Sequence, residues 1–268
     1  MSNVKNLKES LDNLMVHIPG STQEIRDFVD PVKWISENYQ MSIPGKTKGL
    51  VEVIKTIEVK PFYMSKHAVS EAIYNAVMGD VRTGSEHGSE LYVLFEHEDL
   101  PVVNVSWIDA ITFCNALSVL LNLKPCYTLN ADTLLTVCDF SASGFRLPTI
   151  AEWQSASRGE QKGYLYDTID DIAWYAQNSE GQRHENGLKK PNNYGLYDMI
   201  GNVWEWCWDL YDRDRYDNYR LFCGGSFAEE KRGCGATSKR RSQPEFKIDD
   251  LGFRLCRTIN GHKPSGIR

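Results

Sequence analysis

The spacing of apolar and polar positions changes several times along the chain, and each change marks an element. Residues 15–20 (MVHIPG) read as a short strand closed by a Pro-Gly turn. The polar stretch 21–48 predicts no more than one or two helical turns. Residues 50–59 alternate, with Ile57 and Val59 set against Glu58 and Lys60, which predicts a strand. A helix is predicted over 68–78, with Ser70 as its N-cap and Gly79 where a left-handed C-terminal residue is wanted. Residues 80–100 are polar and acidic, rich in Gly, Ser and His, and read as a surface insertion. The run 101–106 predicts a short strand leading into a helix that ends near Leu121. Ser106 and Asp109 have the spacing of a capping box there, and Ile108, Ile111, Leu117 and Leu121 supply an apolar face.

Further on, 126–138 read as a hairpin, and Thr149 with Glu152 forms a second capping box that opens a helix closed by Gly159. Beyond Gly159 the helical period disappears into short strands and long Gly, Asn and Asp loops. Helices in the first half and a loop-rich β second half, with no linker or repeat, predict one α+β domain over 1–268.

Composition narrows the function classes. Apolar residues make up 41% and charged residues 25%, which is ordinary for a chain that buries a core. A net charge of −6 gives no reason to expect a nucleic-acid partner. No apolar run reaches the length of a membrane span, and the first ten residues lack the apolar stretch of a secretory signal, so the chain as given reads as cytoplasmic. Seven cysteines, an odd number with no Cys-x-x-Cys pair, argue against a zinc ribbon or a full disulfide framework. Three tryptophans within five residues, Trp204, Trp206 and Trp208, predict a closely packed aromatic centre.

Five phrases then coincide with one family pattern, in the same order. They are Pro101-Val-Val-Asn-Val-Ser-Trp107, Gly144-Phe-Arg-Leu-Pro-Thr-Ile-Ala-Glu-Trp153, Asn193-Tyr-Gly-Leu-Tyr-Asp-Met-Ile-Gly-Asn-Val-Trp-Glu-Trp206, Gly224-Gly-Ser-Phe227 and Leu251-Gly-Phe-Arg254. Over about residues 14–258 the chain resembles the formylglycine-generating enzymes (the sulfatase-modifying factors), which implies a C-type-lectin-like fold with a small sheet, two or three helices and much irregular backbone. Read as residues alone, Trp107, Trp153, Trp204 and Trp206 are core, and Arg146 and Arg254 are buried arginines satisfying loop carbonyls.

The resemblance implies a structural calcium on Asp198, Gly201, Val203 and Glu205, a mixed carboxylate and carbonyl set that suits this cation. Without the resemblance, Asp198 ends a strand and Glu205 pairs with an arginine. The family's enzymes hold copper(I) between two cysteines and oxidise a peptide cysteine with O₂. Of the two family offsets after the Gly-Gly-Ser phrase, one falls on Cys234 and the other on Glu229. A carboxylate is a hard donor and does not replace a thiolate for copper(I), so copper is not expected. Relatives that use a His-x-x-x-His-x-Glu iron motif are not matched by any of the six histidines.

The leading expectation is a catalytically inactive relative that binds a protein or peptide through the 228–250 surface. Its contact residues are Trp204, Ser226, Glu229, Glu230, Lys231, Arg232, Lys239, Arg240, Arg241 and Phe246. Mixed charges at this density suit selective recognition, although many charge runs are simply solvated loops. One alternative is a metal-dependent oxidase acting through Cys234, with Ser226 beside it. Another is a ligand-binding protein diversified by a retroelement. Such proteins vary this same segment from asparagine-rich templates, and residues 224–259 contain no asparagine.

Overall fold

The computed structural model describes residues 13–29, 51–83 and 100–259. The expectations for 30–48 and 84–99 fall outside the described residues. Two small sheets carry the architecture. In the first, β4 (Phe62–Ala68) lies between β1 (Met15–Ile18) and β11 (Arg254–Thr258), antiparallel to both. The second has the order β10-β7-β8-β9, with β7 (Trp204–Leu210), β8 (Arg220–Gly224) and β9 (Gly235–Ser242) antiparallel and the short β10 (Leu251–Gly252) parallel to β7. A hairpin of β5 (Tyr127–Thr128) and β6 (Val137–Cys138) appears where the sequence predicts one. The longer helices are α1 (Glu71–Thr83), α2 (Trp107–Leu120) and α3 (Ile150–Arg158), followed by single turns α4 (Ile169–Ile172) and α5 (Arg213–Tyr216). Among the described residues no helix is long and apolar enough to cross a membrane.

Both predicted capping boxes form. Ser106 accepts from the Asp109 N–H and Thr149 from the Glu152 N–H, and each carboxylate returns to the cap's own N–H. Each box satisfies backbone donors that the first helical turn leaves without intrahelical partners. Gly159 closes α3 in the left-handed conformation.

Three local expectations need correction. Residues 21–29 are not helical turns but β2 (Ser21–Val29), paired with β3 (Val51–Val59) from Ser21↔Val59 to Val29↔Val51. The polarity that hid this strand has a physical cause: its start faces polar groups of α3, where Ser21 and Ser155 share a hydrogen bond of 2.7 Å and Arg158 donates to Gln23. Helix α1 runs through Gly79 rather than ending at it. A helical glycine costs only about 1 kcal/mol relative to alanine, which does not by itself end a helix. Residues 101–106 make a single bridge, Ser70↔Pro101, rather than a strand, because the segment crosses between α1 and α2 without a strand alongside it.

Strand β7 (WEWCWDL) is buried on both faces. With a period of two, Trp204, Trp206 and Trp208 share one face and Glu205 and Cys207 the other. The tryptophan face joins Trp107, Phe113, Phe222 and Phe253 in the largest apolar cluster. The opposite face meets a second cluster containing Met64, Trp153, Leu196 and Cys223. Indole N–H groups find carbonyls, Trp107 at Cys207 and Trp206 at Val105, each at 3.0 Å.

This arrangement puts the Glu205 carboxylate inside the protein, where an unpaired charge is costly. Arg254 meets it with Nε at 3.0 and 2.9 Å and Nη2 at 2.7 Å, and Trp153 Nε1 donates to it at 2.7 Å. The remaining guanidinium donors reach the carbonyls of Ser65, Lys66 and Tyr197 at 2.8–2.9 Å. Arg146 forms a second fully buried pair with Glu152, two bonds of 2.8 Å. Both arginines are therefore buried as expected, and each has a carboxylate partner in addition to loop carbonyls. Replacing Arg254 by Met would strand the Glu205 charge, and a loss of about 3–5 kcal/mol is expected in chemical denaturation. A loss below about 1 kcal/mol would show that the pair does not hold the core.

His67 lies beside this pair, stacked on Tyr197 at 4.9 Å between ring centroids. Burial first, then the charges of Arg254 and Lys66, bring its pKa down from 6.5 to about 4. The unfolded chain takes up the proton near 6.5. The neutral ring's contribution to stability is thus fully present above that pH and is lost as pH falls from 6.5 through about 4. His67→Gln is expected to flatten the stability curve across this window, as read from urea midpoints. An unchanged slope would assign the acid sensitivity to other groups.

Candidate functional site

The 228–250 surface is carried by the turn that leaves β8 and by β9. Gly224 and Gly225 make that turn with φ of 106° and 91°, outside the range side-chain-bearing residues favour. At Gly225 a Cβ would lie 2.6 Å from the Cys234 sulfur, so the chain approaches this closely only because glycine stands there.

Ser226 is fully buried at the base of the turn. Its Oγ donates to Asp250 Oδ2 at 2.5 Å and accepts from the Ala228 N–H at 3.3 Å. Burial raises the Asp250 pKa, partly opposed by the Ser226 bond. The Asp250 carbonyl in turn accepts from the Trp204 N–H at 2.8 Å, which ties the end of the segment to β7. Ser226 thus holds the two ends of the 226–250 segment together, a role invisible in sequence because its partner lies 24 positions away.

Cys234 is fully buried and packs in a cluster of Ile169, Ile172, Ala173, Tyr175, Ile200 and Ala236. Its thiol donates to the Ser226 carbonyl at 3.7 Å, and burial is the main cause that pushes its pKa up to about 12. A sealed, protonated thiol is neither a nucleophile nor a soft metal ligand in this state. Cys223 does not complete a pair with it. The Cys223 sulfur faces Cys207 at 3.9 Å in the separate cluster beneath β7.

Glu229, at the other copper offset, is directed into an ion pair. Its Oε2 accepts from Arg240 Nη2 at 2.9 Å, and the Arg240 guanidinium lies 5.3 Å over the Trp204 ring. Trp204 itself is only 3% exposed, so it backs the cation and presents little surface of its own. Glu229, Arg240 and Trp204 therefore come together as one unit. The other predicted contact residues spread around it. Glu230 and Arg232 form an exposed pair at 3.2 Å next to a 3-10 turn, Lys231–Gly233, that also carries exposed Lys231. Lys239 is half-buried on β9. Arg241 lies over the rings of Tyr211 and Tyr216, 4.3 Å from each, and donates to the Tyr216 hydroxyl at 2.9 Å. Alternation along β9 sends Arg240 and Arg241 to opposite faces of the sheet, so the basic run 239–241 does not act as one patch. Phe246 is 37% exposed, with Ile248 close by in sequence at 39%. Sequence reasoning missed Ile248, Tyr211 and Tyr216; only the ring contacts identify the two tyrosines as supports for Arg241.

The residues expected to hold calcium were tested by their donors. Asp198 has φ of 52° and its Oδ2 accepts from the Gly187 N–H at 2.7 Å. Gly201 sits at φ of 74°, where a Cβ would lie 2.3 Å from the Trp174 carbonyl. A carboxylate offers about four lone-pair sites. At Glu205 four N–H···O contacts, three from Arg254 and one from Trp153, occupy them. Glu205 as arranged does not fit as a calcium ligand; it is the arginine partner that its residue chemistry alone suggests. Calcium in excess, against a chelator, is accordingly expected to move Tm by less than about 1 °C, since RT ln(1 + [L]/Kd) vanishes without native-state binding. A clear rise that is lost in Asp198→Ala would show that Glu205 exchanges Arg254 for the cation.

Comparison with known proteins places this geometry. Residues 5–259 match the family described as the sulfatase-modifying factor enzyme 1-like domain. The chain is 31% identical over 241 residues to a protein named chaperone protein LppX from Paenibacillus barcinonensis, covering 76% of this chain and 82% of the relative. It is 30% identical over 181 residues to the inactive C-alpha-formylglycine-generating enzyme 2 of Mus musculus, covering 60% of this chain and half of that protein's length. In three dimensions it is similar to the Treponema denticola variable protein 1, with a TM-score of 0.68, 28% identity, and coverage of 91% of this chain and 95% of the other.

Proposed function

The chain belongs to the sulfatase-modifying factor enzyme 1-like family, with its C-type-lectin-like formylglycine-generating-enzyme fold, and we propose that it is a recognition domain that binds a protein or peptide through the 228–250 surface. One observation carries the reading. Where the family's enzymes place two thiolates, this chain has a thiol sealed among apolar side chains and a glutamate already paired with Arg240. Copper(I) selects soft, accessible donors, and neither residue is one.

The same substitution converts the position into a recognition element. Arg240 is 57% exposed, is paired with Glu229 and rests over Trp204, so an exposed guanidinium is held in a supported position. Holding a guanidinium this way reduces the side-chain entropy lost when a partner carboxylate or carbonyl binds. Exposed Glu230, Lys231 and Arg232 on one side and Phe246 with Ile248 on the same segment add mixed charge and apolar contact. An apolar centre edged by charge is the usual composition of a selective interface. The name of the mouse relative, an inactive enzyme, supports a fold retained without the family's oxidation.

The test is a displayed peptide library selected on the wild-type protein and re-measured on Arg240→Glu and Glu229→Ala. Selected peptides are expected to lose at least about tenfold in affinity on Arg240→Glu, about 1.4 kcal/mol. In parallel, copper(I)-treated protein incubated in air with a cysteine peptide is expected to yield no aldehyde by mass spectrometry. Aldehyde that disappears in Cys234→Ser would overturn the reading in favour of an oxidase. Selected peptides indifferent to both substitutions would move the recognition surface elsewhere.

A further inference from the structure

Outside the site, one pair of reactive groups is left without a role. Cys207 on β7 and Cys223 on β8 are both fully buried, sixteen residues apart in sequence, with Sγ atoms 3.9 Å apart. Register explains the approach. Glu205 pairs with Cys223 and Trp206 with Phe222, so Cys207 lies on the same face as Cys223 and diagonal to it. Beyond Trp206 the register shifts: five positions on β7, 206 to 210, face only three on β8, 222 to 220. Cys207 sits at the start of this bulge, where the backbone is not held to a fixed opposite residue and can adjust.

We infer that Cys207 and Cys223 form a cross-strand disulfide when the chain folds in the presence of a disulfide-class oxidant. Two thiols and one small-molecule disulfide give the cystine and two small thiols. One protein thiolate attacks the oxidant and expels a thiolate, and the second protein thiolate then attacks the mixed disulfide and expels the other. Closing the sulfurs from 3.9 Å to the bonded distance of about 2.05 Å asks for a movement shared by two side chains and a bulge. The remaining cysteines offer no second pair in sulfur contact among the hydrogen bonds of the described residues, and none of the seven is disulfide-bonded in the present structure.

The bond would staple the two strands that carry the site. β7 holds Trp204 beneath Arg240, and β8 runs directly into Gly224-Gly225-Ser226. Timing is the distinctive consequence. In the folded chain both sulfurs are out of reach of solvent, and burial together with the neighbouring Cys223 keeps the Cys207 thiol protonated. Exchange needs an accessible thiolate, so the state of the pair is set during folding and then preserved.

The test refolds the full chain from denaturant in reduced glutathione and, separately, in a mixture of oxidised and reduced glutathione. Free thiols are then alkylated under denaturing conditions and mapped by mass spectrometry. The expected result is a Cys207–Cys223 cross-linked peptide only after oxidative refolding. That sample should gain about 5–10 °C in Tm over the reduced protein. Reduced protein already folded should remain unmodified in the same oxidant for hours. Seven alkylated thiols after oxidative refolding, or a different dominant pair, would overturn the inference. So would rapid cross-linking of the folded protein, as regards timing. Cys223→Ala should abolish both cross-link and Tm gain; because mapping is done on the wild type, the result stands even if that variant folds poorly.

Discussion

A single buried ion pair organises this protein. Glu205 and Arg254 meet where β7, β11, β4 and the 193–201 loop converge, and the guanidinium spends its donors on the carboxylate and on three carbonyls from two separate segments. Neither charge has access to water, so each is tolerable only with the other in place. Such a pair is weak evidence for net stability against an apolar replacement, but it permits one arrangement of the segments it joins. That constraint favours a single form for much irregular backbone, in a chain whose sheets are small.

Arg146 and Glu152 repeat the device at the start of α3. Glu152 closes the capping box with Thr149 and at the same time receives two bonds from Arg146, whose own N–H and C=O pair with Cys256 of β11. The helix N-terminus, the 144–148 turn and the first sheet are thereby fixed together. The Ile150 N–H finds a further acceptor in Asp209 at the end of β7. The Glu205 pair is anchored on β7, whose opposite face carries Trp204 under Arg240.

The Gly224-Gly225-Ser226 turn, the Ser226–Asp250 bond and the burial of Cys234 all belong to a well-ordered site. Glu229 changes its chemistry, since it directs the position toward a cation, Arg240, instead of a soft metal. On the proposed reading, the position where the family's enzymes carry a thiolate is an ionic one here, Glu229 paired with Arg240. The supporting frame therefore says nothing by itself about activity; the donor set does.

Much of this was legible in the order of residues. The capping boxes of α2 and α3, the 126–138 hairpin and the crowding of tryptophans on β7 rest on interactions within a few residues or on a period of two, and local spacing reports them. The five family phrases likewise identified the fold, because several rare short patterns in fixed order are jointly specific. The departure at Glu229 was readable by counting from Gly224. Other features depended on distance in space. Strand β2 was missed because its polar side chains meet polar groups of α3, and the arginine that Glu205 pairs with, Arg254, stands 49 positions away. Within the 239–241 run, the sheet sends Arg240 toward Trp204 and Arg241 toward two tyrosines, a division that adjacent positions do not announce. Sequence determined which groups this chain owns and how its local turns are capped; only the tertiary structure decided which charges are spent on each other and which still face outward, because that depends on partners brought together by folding.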